Sequence, residues 1–174
     1  EYGGAGMDYV SYMLALEEIS RYCASTGVII SAHSSLVCDP IYRFGTEEQK
    51  QKYLPDLLSG NKIGSFSLTE AGAGSDAGAT KTTAKLVDDK WVLNGSKQFA
   101  TNGKEADIFV LIASTQPELK TRGVTAFIVE SNTPGYRIGK LEKKLGIRSS
   151  STAEIILEDV EIPKENMLGE LNKG

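Results

Sequence analysis

The spacing of apolar residues separates a helical first part of the chain from a strand-rich remainder. From Asp8 to about Ile30, apolar residues recur three and four positions apart, which places them on one face of a helix. Asp8 precedes this pattern and can cap the helix by accepting a hydrogen bond from an unpaired backbone N–H. Gly27 is expected to end or kink this helix, because glycine disfavours a helix interior.

Two shorter helices are predicted next along the chain. An Asp-Pro pair at Asp39 favours a new helix start, and a few apolar residues follow it. Thr46 and Gln49 then have the spacing of a capping box, in which each side chain satisfies a backbone N–H of the other residue. The helix that they open is expected to run to about Tyr53, where Pro55 bends or ends it.

After Lys62 the pattern changes to short runs typical of strands, separated by clusters of Gly, Asp, Asn, Ser and Pro. The runs are residues 63–69, 82–87, 91–94, 107–114, 124–130, 136–139 and 153–157. Six or seven short strands without helices between them predict an antiparallel barrel or sandwich. The predicted fold class is therefore α+β. Residues 1–60 form the end of an all-α domain, and residues 61–165 form a small antiparallel β-barrel or sandwich domain.

The composition argues against several classes of function. The chain has 174 residues, of which 40% are apolar and 24% are charged, a balance typical of globular proteins. A net charge of −4 gives no electrostatic reason to expect nucleic acid or acidic lipid as a partner. The apolar runs are too short to span a membrane. Cys23 and Cys38 lack the spacing of metal ligands, and we expect both to be reduced, buried thiols.

His33 is the single histidine of the chain, and it lies among small residues. A lone histidine in such a segment is more often packed or used as a cap than used as a catalytic base. We therefore expect a structural role for His33.

The segment from Phe66 to Asp76 carries the first chemical signal. An apolar strand leads directly into a loop of Gly, Ala, Ser and Asp, whose small side chains let backbone N–H groups approach a phosphate or a flat ring. Thr69 adds a hydroxyl at the end of the strand, and Ser75 adds another at the tip of the loop. This pattern predicts a nucleotide cofactor, although a structural turn without a ligand remains open at this point.

A Rossmann turn is a second interpretation of the same loop. Gly72, Gly74 and Ala77 have the spacing of its dinucleotide-binding fingerprint. That fold requires a helix directly after the loop, so that the helix N-terminus can hold the pyrophosphate. The following residues are instead rich in threonine and end in Asp-Asp, which is typical of a strand and a hairpin. The sequence therefore disfavours a Rossmann turn.

A second loop combines residue types similar to those of the first. Between Lys97 and Gly103 the chain places an aromatic residue, a hydroxyl and then Asn-Gly. If Phe99 and Phe66 lie on neighbouring strands, two aromatics and two threonines meet at one mouth of the β domain. A flavin suits that environment, because its ring has an apolar face and a polar edge. Two ordinary core aromatics and a hairpin turn explain the same residues about equally well.

Taken together and in order, these motifs resemble the acyl-CoA dehydrogenase family. The similar segments are residues 68–76, 94–103, 126–135, 145–152 and 159–163, preceded by residues 2–4 and 44–50. The resemblance covers essentially the whole chain. Within the family the chain is most similar to the short-chain, butyryl-CoA type, mainly through residues 144–170.

The resemblance implies FAD as the cofactor and an acyl-CoA as the substrate. The residues implied in cofactor binding are Phe66, Leu68, Thr69, Ser75, Phe99, Ala100 and Thr101, and Ser75 is also implied in binding the substrate. Ala100 and Thr101 would lie at the polar edge of the flavin, with Phe99 beside its ring. Many members carry Trp at the position of Phe99 and a bulkier aliphatic residue at that of Ala100, so the fit at both positions differs here.

The resemblance also implies an α,β-dehydrogenation of the acyl-CoA thioester, in which a carboxylate removes the α proton. The family carries that base in a C-terminal helical domain, so no catalytic residue is expected in this chain, and Glu70 is not assigned as the base. Residues 166–174 are expected to begin the linker to that domain. We therefore expect the chain to be a piece of a longer protein that is inactive alone.

Further implications concern partners and location. The resemblance implies electron transfer to an electron-transfer flavoprotein and a homo-oligomer, usually a tetramer. It leaves the bacterial cytoplasm and the mitochondrial matrix both open. A basic cluster of Lys140, Lys143, Lys144 and Arg148 could be a site for CoA phosphates, but a solvated face or an interface strip is favoured. A non-catalytic β-barrel that binds or interacts without chemistry is the alternative function.

Overall fold

The computed structural model describes all of residues 1–174, and its first part is helical. The helices are α1 (Tyr9–Tyr22), α2 (Ala24–His33), α3 (Asp39–Phe44) and α4 (Glu47–Ser59), with a π-helical turn at Ser34–Cys38. Asp8 caps α1 as predicted, because its carboxylate accepts from the Ser11 N–H at 2.8 Å. Thr46 and Gln49 form the predicted capping box at the start of α4.

Two predicted helix ends are wrong, and packing explains both. The first long helix breaks at Cys23, in extended backbone, and not at Gly27, which lies within α2. Gly27 is needed there because α1 passes close to it: a Cβ would lie 2.1 Å from Ser20 Oγ. Pro55 remains inside α4, since buried residues on both sides of it hold the helix against the sheet, and the helix ends only at Gly60.

The cysteines differ from each other. Cys38 is buried as expected, but Cys23 is exposed at the junction of α1 and α2. The expectation of two buried thiols is therefore wrong for Cys23, because the helix break places that residue at the surface. Both cysteines are free.

Each of the seven predicted strands is present. The strands are β1 (Gly64–Ser67), β2 (Thr83–Val87), β3 (Lys90–Thr101), β4 (Ile108–Ser114), β5 (Val124–Glu130), β6 (Tyr136–Leu141), β7 (Thr152–Pro163) and β8 (Met167–Leu168). β3 and β7 are much longer than predicted, and β8 was not predicted. The α+β class is confirmed.

The strands form one open sheet in the order β6-β7-β3-β2-β4-β5-β8, and β1 pairs with β4 beside this path. Most neighbours are antiparallel, as predicted. The β1–β4 and β2–β4 pairs are parallel, which the all-antiparallel prediction missed. The segment between β1 and β4 contains a loop and the β2–β3 hairpin, and it is long enough for the crossover that a parallel pair needs.

β4 lies between two hydrophobic cores. Phe109 and Leu111 point into a core shared with β3, β5 and β7, whereas Ile108, Val110 and Ile112 point into a second core shared with the helices. This period of two explains why all seven residues of β4 are buried. The helical part is thereby fixed to one face of β4 and β5, and this places β1 at the boundary between the two parts.

His33 links the helical part to the β structure at that boundary. Its Nδ1 accepts from the Gly64 N–H at 2.9 Å, and its Nε2 lies 3.0 Å from the Leu57 carbonyl oxygen. Nδ1 must be unprotonated to accept, so the ring is neutral with its proton on Nε2. Burial lowers the pKa of His33 below its ordinary 6.5, and the hydrogen bond to Leu57 offsets this only in part. His33 is therefore a structural link between α2, α4 and β1, as expected.

Candidate functional site

The two loops singled out in the sequence lie side by side in the fold. The Gln98 N–H donates to the Thr69 carbonyl oxygen at 2.7 Å. At the other end of this contact, the Ser65 hydroxyl donates to the Thr101 carbonyl oxygen at 2.7 Å. β1 and the last residues of β3 therefore run next to each other, with Thr69 beside Gln98 and Thr101 beside Ser65.

A β-bulge turns Phe99 outward at this edge. Lys97 lies opposite Ile155 and Ala100 opposite Ala153, so two residues of β3 face one residue of β7. Phe99 takes a φ of 59°, in the left-handed region that only a few per cent of non-glycine residues adopt. The bulge changes the alternation of the strand, so that Ala100 enters the core and Phe99 is 57% exposed.

Three hydroxyls of these two segments make no hydrogen bond within the chain and are not fully buried. They belong to Thr69, Ser75 and Thr101, the residues that the sequence pattern also selected. Two neighbouring hydroxyls are used internally, since Thr80 bonds Glu70 and Ser65 bonds the backbone. The Ser67 hydroxyl also lacks a partner, but it is buried. Donors that remain available beside an exposed aromatic ring suit a ligand with a flat face and a polar edge.

The glycines of the first loop also favour a ligand. Gly72 and Gly74 lie outside the left-handed region of φ, and a Cβ on either would meet nothing within 4 Å. Neither backbone conformation nor packing within the chain therefore requires glycine at these positions. A flat ring or a phosphate that lies against the backbone does require it. These residues fit a flavin nucleotide.

The side chains of the remaining predicted site residues, Phe66, Leu68 and Ala100, pack against two different cores. Leu68 and Phe66 are half-buried and pack against the helix-facing core, where Phe66 is in register with Val110. The Phe66 and Phe99 rings do not stack on each other. The Ala100 side chain is turned into the other core, so only its backbone is available to a ligand.

Glu70 is held by hydrogen bonds on both of its oxygens. Oε1 accepts from the Thr80 hydroxyl, from Lys97 Nζ at 2.7 Å and from the Thr82 N–H at 3.0 Å, while Oε2 accepts from the Lys81 N–H at 2.7 Å. Burial by itself raises the pKa of Glu70, but the hydrogen bonds from Lys97, Thr80, Thr82 and Lys81 outweigh it and lower the pKa to about 2. A carboxylate with this pKa and these partners is unsuited to act as a general base at neutral pH.

The backbone after the first loop excludes the Rossmann interpretation. A short 3₁₀ turn at Ala77–Ala79 leads directly into β2. No helix N-terminus is present where a pyrophosphate would need one.

The basic cluster is partly used within the chain. Lys140 Nζ lies 3.0 Å from Glu142, and Lys144 Nζ donates to the Ser150 carbonyl oxygen at 2.6 Å. Lys143 and Arg148 are exposed. Two of the four cations therefore already have partners within the chain.

Nowhere in the chain do three or more His, Cys, Asp or Glu side chains group so that they could hold a metal ion. None of the helices has the length and apolar content needed to cross a membrane.

Comparison with known protein families decides what the chain is. Residues 65–160 match the acyl-CoA dehydrogenase middle domain, and residues 1–61 match the acyl-CoA dehydrogenase N-terminal domain. The chain belongs to the acyl-CoA dehydrogenase family. The resemblance inferred from the motifs is confirmed.

Two relatives illustrate the similarity. The short-chain specific acyl-CoA dehydrogenase of Clostridium acetobutylicum is 55% identical over 174 residues, which is 100% of this chain and 46% of that protein. The mitochondrial short-chain specific acyl-CoA dehydrogenase of Homo sapiens is also 55% identical over 174 residues, which is 42% of its length. The chain therefore spans less than half the length of these family members.

Solved structures of family members have the same fold. Butyryl-CoA dehydrogenase from Megasphaera elsdenii superimposes with a TM-score of 0.97 at 48% identity, over 99% of this chain and 46% of that chain. An acyl-CoA dehydrogenase from Bacillus anthracis complexed with FAD gives a TM-score of 0.93 at 46% identity, over 99% of this chain and 29% of that chain. At these identities, the similarity supports the family assignment as well as the fold.

One buried polar group, centred on Lys97, was not predicted from the sequence. Lys97 appeared there only as part of a motif, yet its side chain is fully buried below the first loop. The signal was present in the pattern, because Lys97 falls in the inward register of β3 together with Trp91 and Leu93. A lysine at an inward position needs buried partners, and Glu70 and Thr80 supply them.

Proposed function

We propose that this chain is the FAD- and substrate-binding portion of an enzyme that carries out α,β-dehydrogenation of short-chain acyl-CoA thioesters. The observation that carries the proposal is the shared edge of β1 and β3. These two segments carry an outward-facing aromatic and two threonine hydroxyls without internal partners, and the loop that follows β1 has glycines that packing within the chain does not require. The relatives described above, which include a structure complexed with FAD, support FAD as the ligand of this edge.

Each residue has a proposed role that follows from its position. Phe99 would lie against the ring of FAD, while Thr69 and Thr101 would hydrogen-bond its polar edge. Phe66 and Leu68 would form the apolar floor from the helix side. Ala100 would contribute only backbone groups. FAD, when bound, supplies an acceptor for the two electrons removed from the substrate.

Substrate binding and the catalytic base involve different parts of the enzyme. Ser75 is exposed at the tip of the loop, and its hydroxyl would contact the boundary between the cofactor and the pantetheine arm of the acyl-CoA. Glu70 is fully occupied, so the base would come from a part of the enzyme outside residues 1–174. The short-chain specificity of the relatives supports a butyryl-sized acyl group.

The finer architecture and the assembly belong to the same proposal. The helical unit would comprise residues 1–60, the β unit residues 61–165 and a linker residues 166–174. The β unit would be a flattened barrel or sandwich, since β3 and β7 share one core with β4 and β5. A homotetramer, transfer of electrons to an electron-transfer flavoprotein, and a place in the bacterial cytoplasm or the mitochondrial matrix follow as proposals from family membership.

The full-length protein provides the test. It should purify with the visible absorbance bands of an oxidised flavin, and anaerobic addition of butyryl-CoA should bleach them. Longer acyl-CoA thioesters serve as the comparison and should bleach them more slowly. A full-length protein that neither retains nor binds FAD would contradict the proposal and favour a non-catalytic β module.

A further inference from the structure

A buried polar cluster lies directly below the first loop. The Lys97 side chain is 0% exposed, and its ammonium group donates to the Leu68 carbonyl oxygen at 3.0 Å, to Glu70 Oε1 at 2.7 Å and to Thr80 Oγ1 at 2.9 Å. An ammonium group has three protons, so each proton has a partner. None of these partners belongs to the groups proposed to touch the flavin ring or the substrate, except through the backbone of Leu68.

The cluster joins the two ends of the loop. Leu68 and Glu70 precede the glycine segment, whereas Thr80 and the amides of Lys81 and Thr82 follow it. Glu70 holds the second end and Lys97 holds both ends to β3. The residues between these ends, 71–79, are a loop whose entry and exit are fixed at one point.

The second loop is tied to the same point. Lys97 binds the carbonyl of Leu68, and the next residue, Gln98, binds the carbonyl of Thr69 through its backbone. Phe99 follows at once in its left-handed conformation. A change in the position of the first loop would therefore be transmitted to the bulge that turns Phe99 outward.

Stability alone does not explain such a cluster. Burial lowers the pKa of Lys97 below its ordinary value and Glu70 offsets this in part, as expected for a charge that is removed from water. Replacing a buried ion pair by apolar residues of similar volume is often neutral or stabilising. Apolar residues, however, would not fix two separate backbone segments at defined donor and acceptor positions.

We infer that Lys97, Glu70 and Thr80 are positioning residues, which hold the glycine loop in place against β3 so that it and Phe99 are preset to receive the flavin. The inference rests on the function proposed above. These residues act through the loop and touch neither the cofactor nor the substrate.

The test uses the full-length protein with Lys97→Met, which keeps the length of the side chain and removes its charge. The matched control is Lys90→Met, because Lys90 lies on the same strand and pairs with Glu161 at 2.7 Å in an exposed salt bridge. Two quantities are measured: hydrogen exchange of the amides of residues 71–82 in the flavin-free protein, and the dissociation constant of FAD.

We expect Lys97→Met to speed exchange in this loop selectively and to weaken FAD binding roughly tenfold or more, since small displacements of a positioning group have large effects on a site. Lys90→Met should change neither quantity. Unchanged loop exchange in Lys97→Met would overturn the inference, as would a uniform rise of exchange over the whole β structure, which a merely structural role predicts.

A milder variant covers the case in which Lys97→Met does not fold. Thr80→Val is nearly isosteric and removes only the hydroxyl shared by Lys97 and Glu70. It should show the same selective pattern with a smaller amplitude, and wild-type exchange in the loop would overturn the inference. The two proposals fail differently: a wild-type protein that binds no FAD contradicts the proposed function, whereas the loop exchange is measured without FAD.

Discussion

At the scale of single residues, the site depends on one strained position. Phe99 adopts a left-handed φ that costs a non-glycine residue roughly 1 kcal/mol or more, and its ring is mostly exposed, so little burial compensates for this strain within the chain. Strain that is retained without a packing benefit is typical of functional positions. The residue therefore serves the proposed ligand better than it serves the fold.

This conclusion predicts an opposite effect of Phe99→Gly on stability and on binding. In the flavin-free, full-length protein, glycine relieves the strain, so the free energy of unfolding should stay the same or rise by about 0.5–1 kcal/mol. FAD should bind more weakly, because a stacked aromatic contributes about 0.5–1.5 kcal/mol. Urea unfolding and FAD titration measure the two effects.

Phe99→Ala is the matched control for this prediction. It removes the same ring and keeps a Cβ in the left-handed region, so it should lose FAD affinity to a similar degree without the gain in stability. If Phe99→Gly destabilised the flavin-free protein by more than about 1 kcal/mol, the ring would be part of the packing. That result would refute the account of the bulge.

At the scale of elements, the helical part and the β structure are joined through His33. The ring accepts from the Gly64 N–H, at the first residue of β1, and contacts the Leu57 carbonyl near the end of α4. Gly64 allows Val37 of the π-helical turn to approach β1 closely, since a Cβ on residue 64 would lie 2.7 Å from Val37 Cγ1. This junction sets the position of β1, and through β1 that of Thr69.

The link predicts a pH dependence of stability. The pKa of His33 is lowered in the folded state, so between the folded and unfolded pKa values the unfolded state binds more protons, and stability rises with pH. The contribution of His33 should be complete above about pH 6.5 and lost as the pH falls through the folded pKa.

Urea unfolding of the full-length protein and of His33→Gln at several pH values measures this contribution. The difference in unfolding free energy between the two should be constant from neutral to mildly alkaline pH. It should shrink on acidification by at most about 1.4 kcal/mol per pH unit. A difference that stays constant into the acidic range would show that the fold accommodates a protonated His33.

Local patterns predicted the elements well, and long-range packing explains the failures. The caps at Asp8 and Thr46 and the span of β5 follow from neighbouring residues alone, and each was predicted. The break at Cys23 and the survival of α4 past Pro55 depend on contacts with other elements, which periodicity does not show. In the candidate site, too, local features could be predicted and long-range packing could not.

For the site, hydroxyls and glycines could be selected from the sequence because their chemistry is visible in the residue types. The bulge at Phe99 and the inward position of Lys97 depend on the register between β3 and β7, which the sequence alone does not fix. The different directions of the Phe66 and Phe99 side chains likewise depend on strand register.

At the scale of the whole molecule, β4 is the central strand that both parts of the chain contact. It is buried on both faces, with the helices on one side and the strands β3 and β7 on the other, and it pairs with β1, β2 and β5. The proposed FAD site lies where β1 and β3 meet at the edge of this arrangement. The position of the proposed site thereby depends on the same contacts that hold the two parts of the chain together.

The structure of the full-length protein crystallised with FAD is the most direct test of this account. It should show the flavin ring within about 4 Å of the Phe99 side chain. The polar edge of the ring should accept or donate hydrogen bonds of about 2.7–3.2 Å with Thr69 and Thr101. FAD bound elsewhere, with both threonine hydroxyls facing solvent, would contradict the central claim that these two loops form one flavin site.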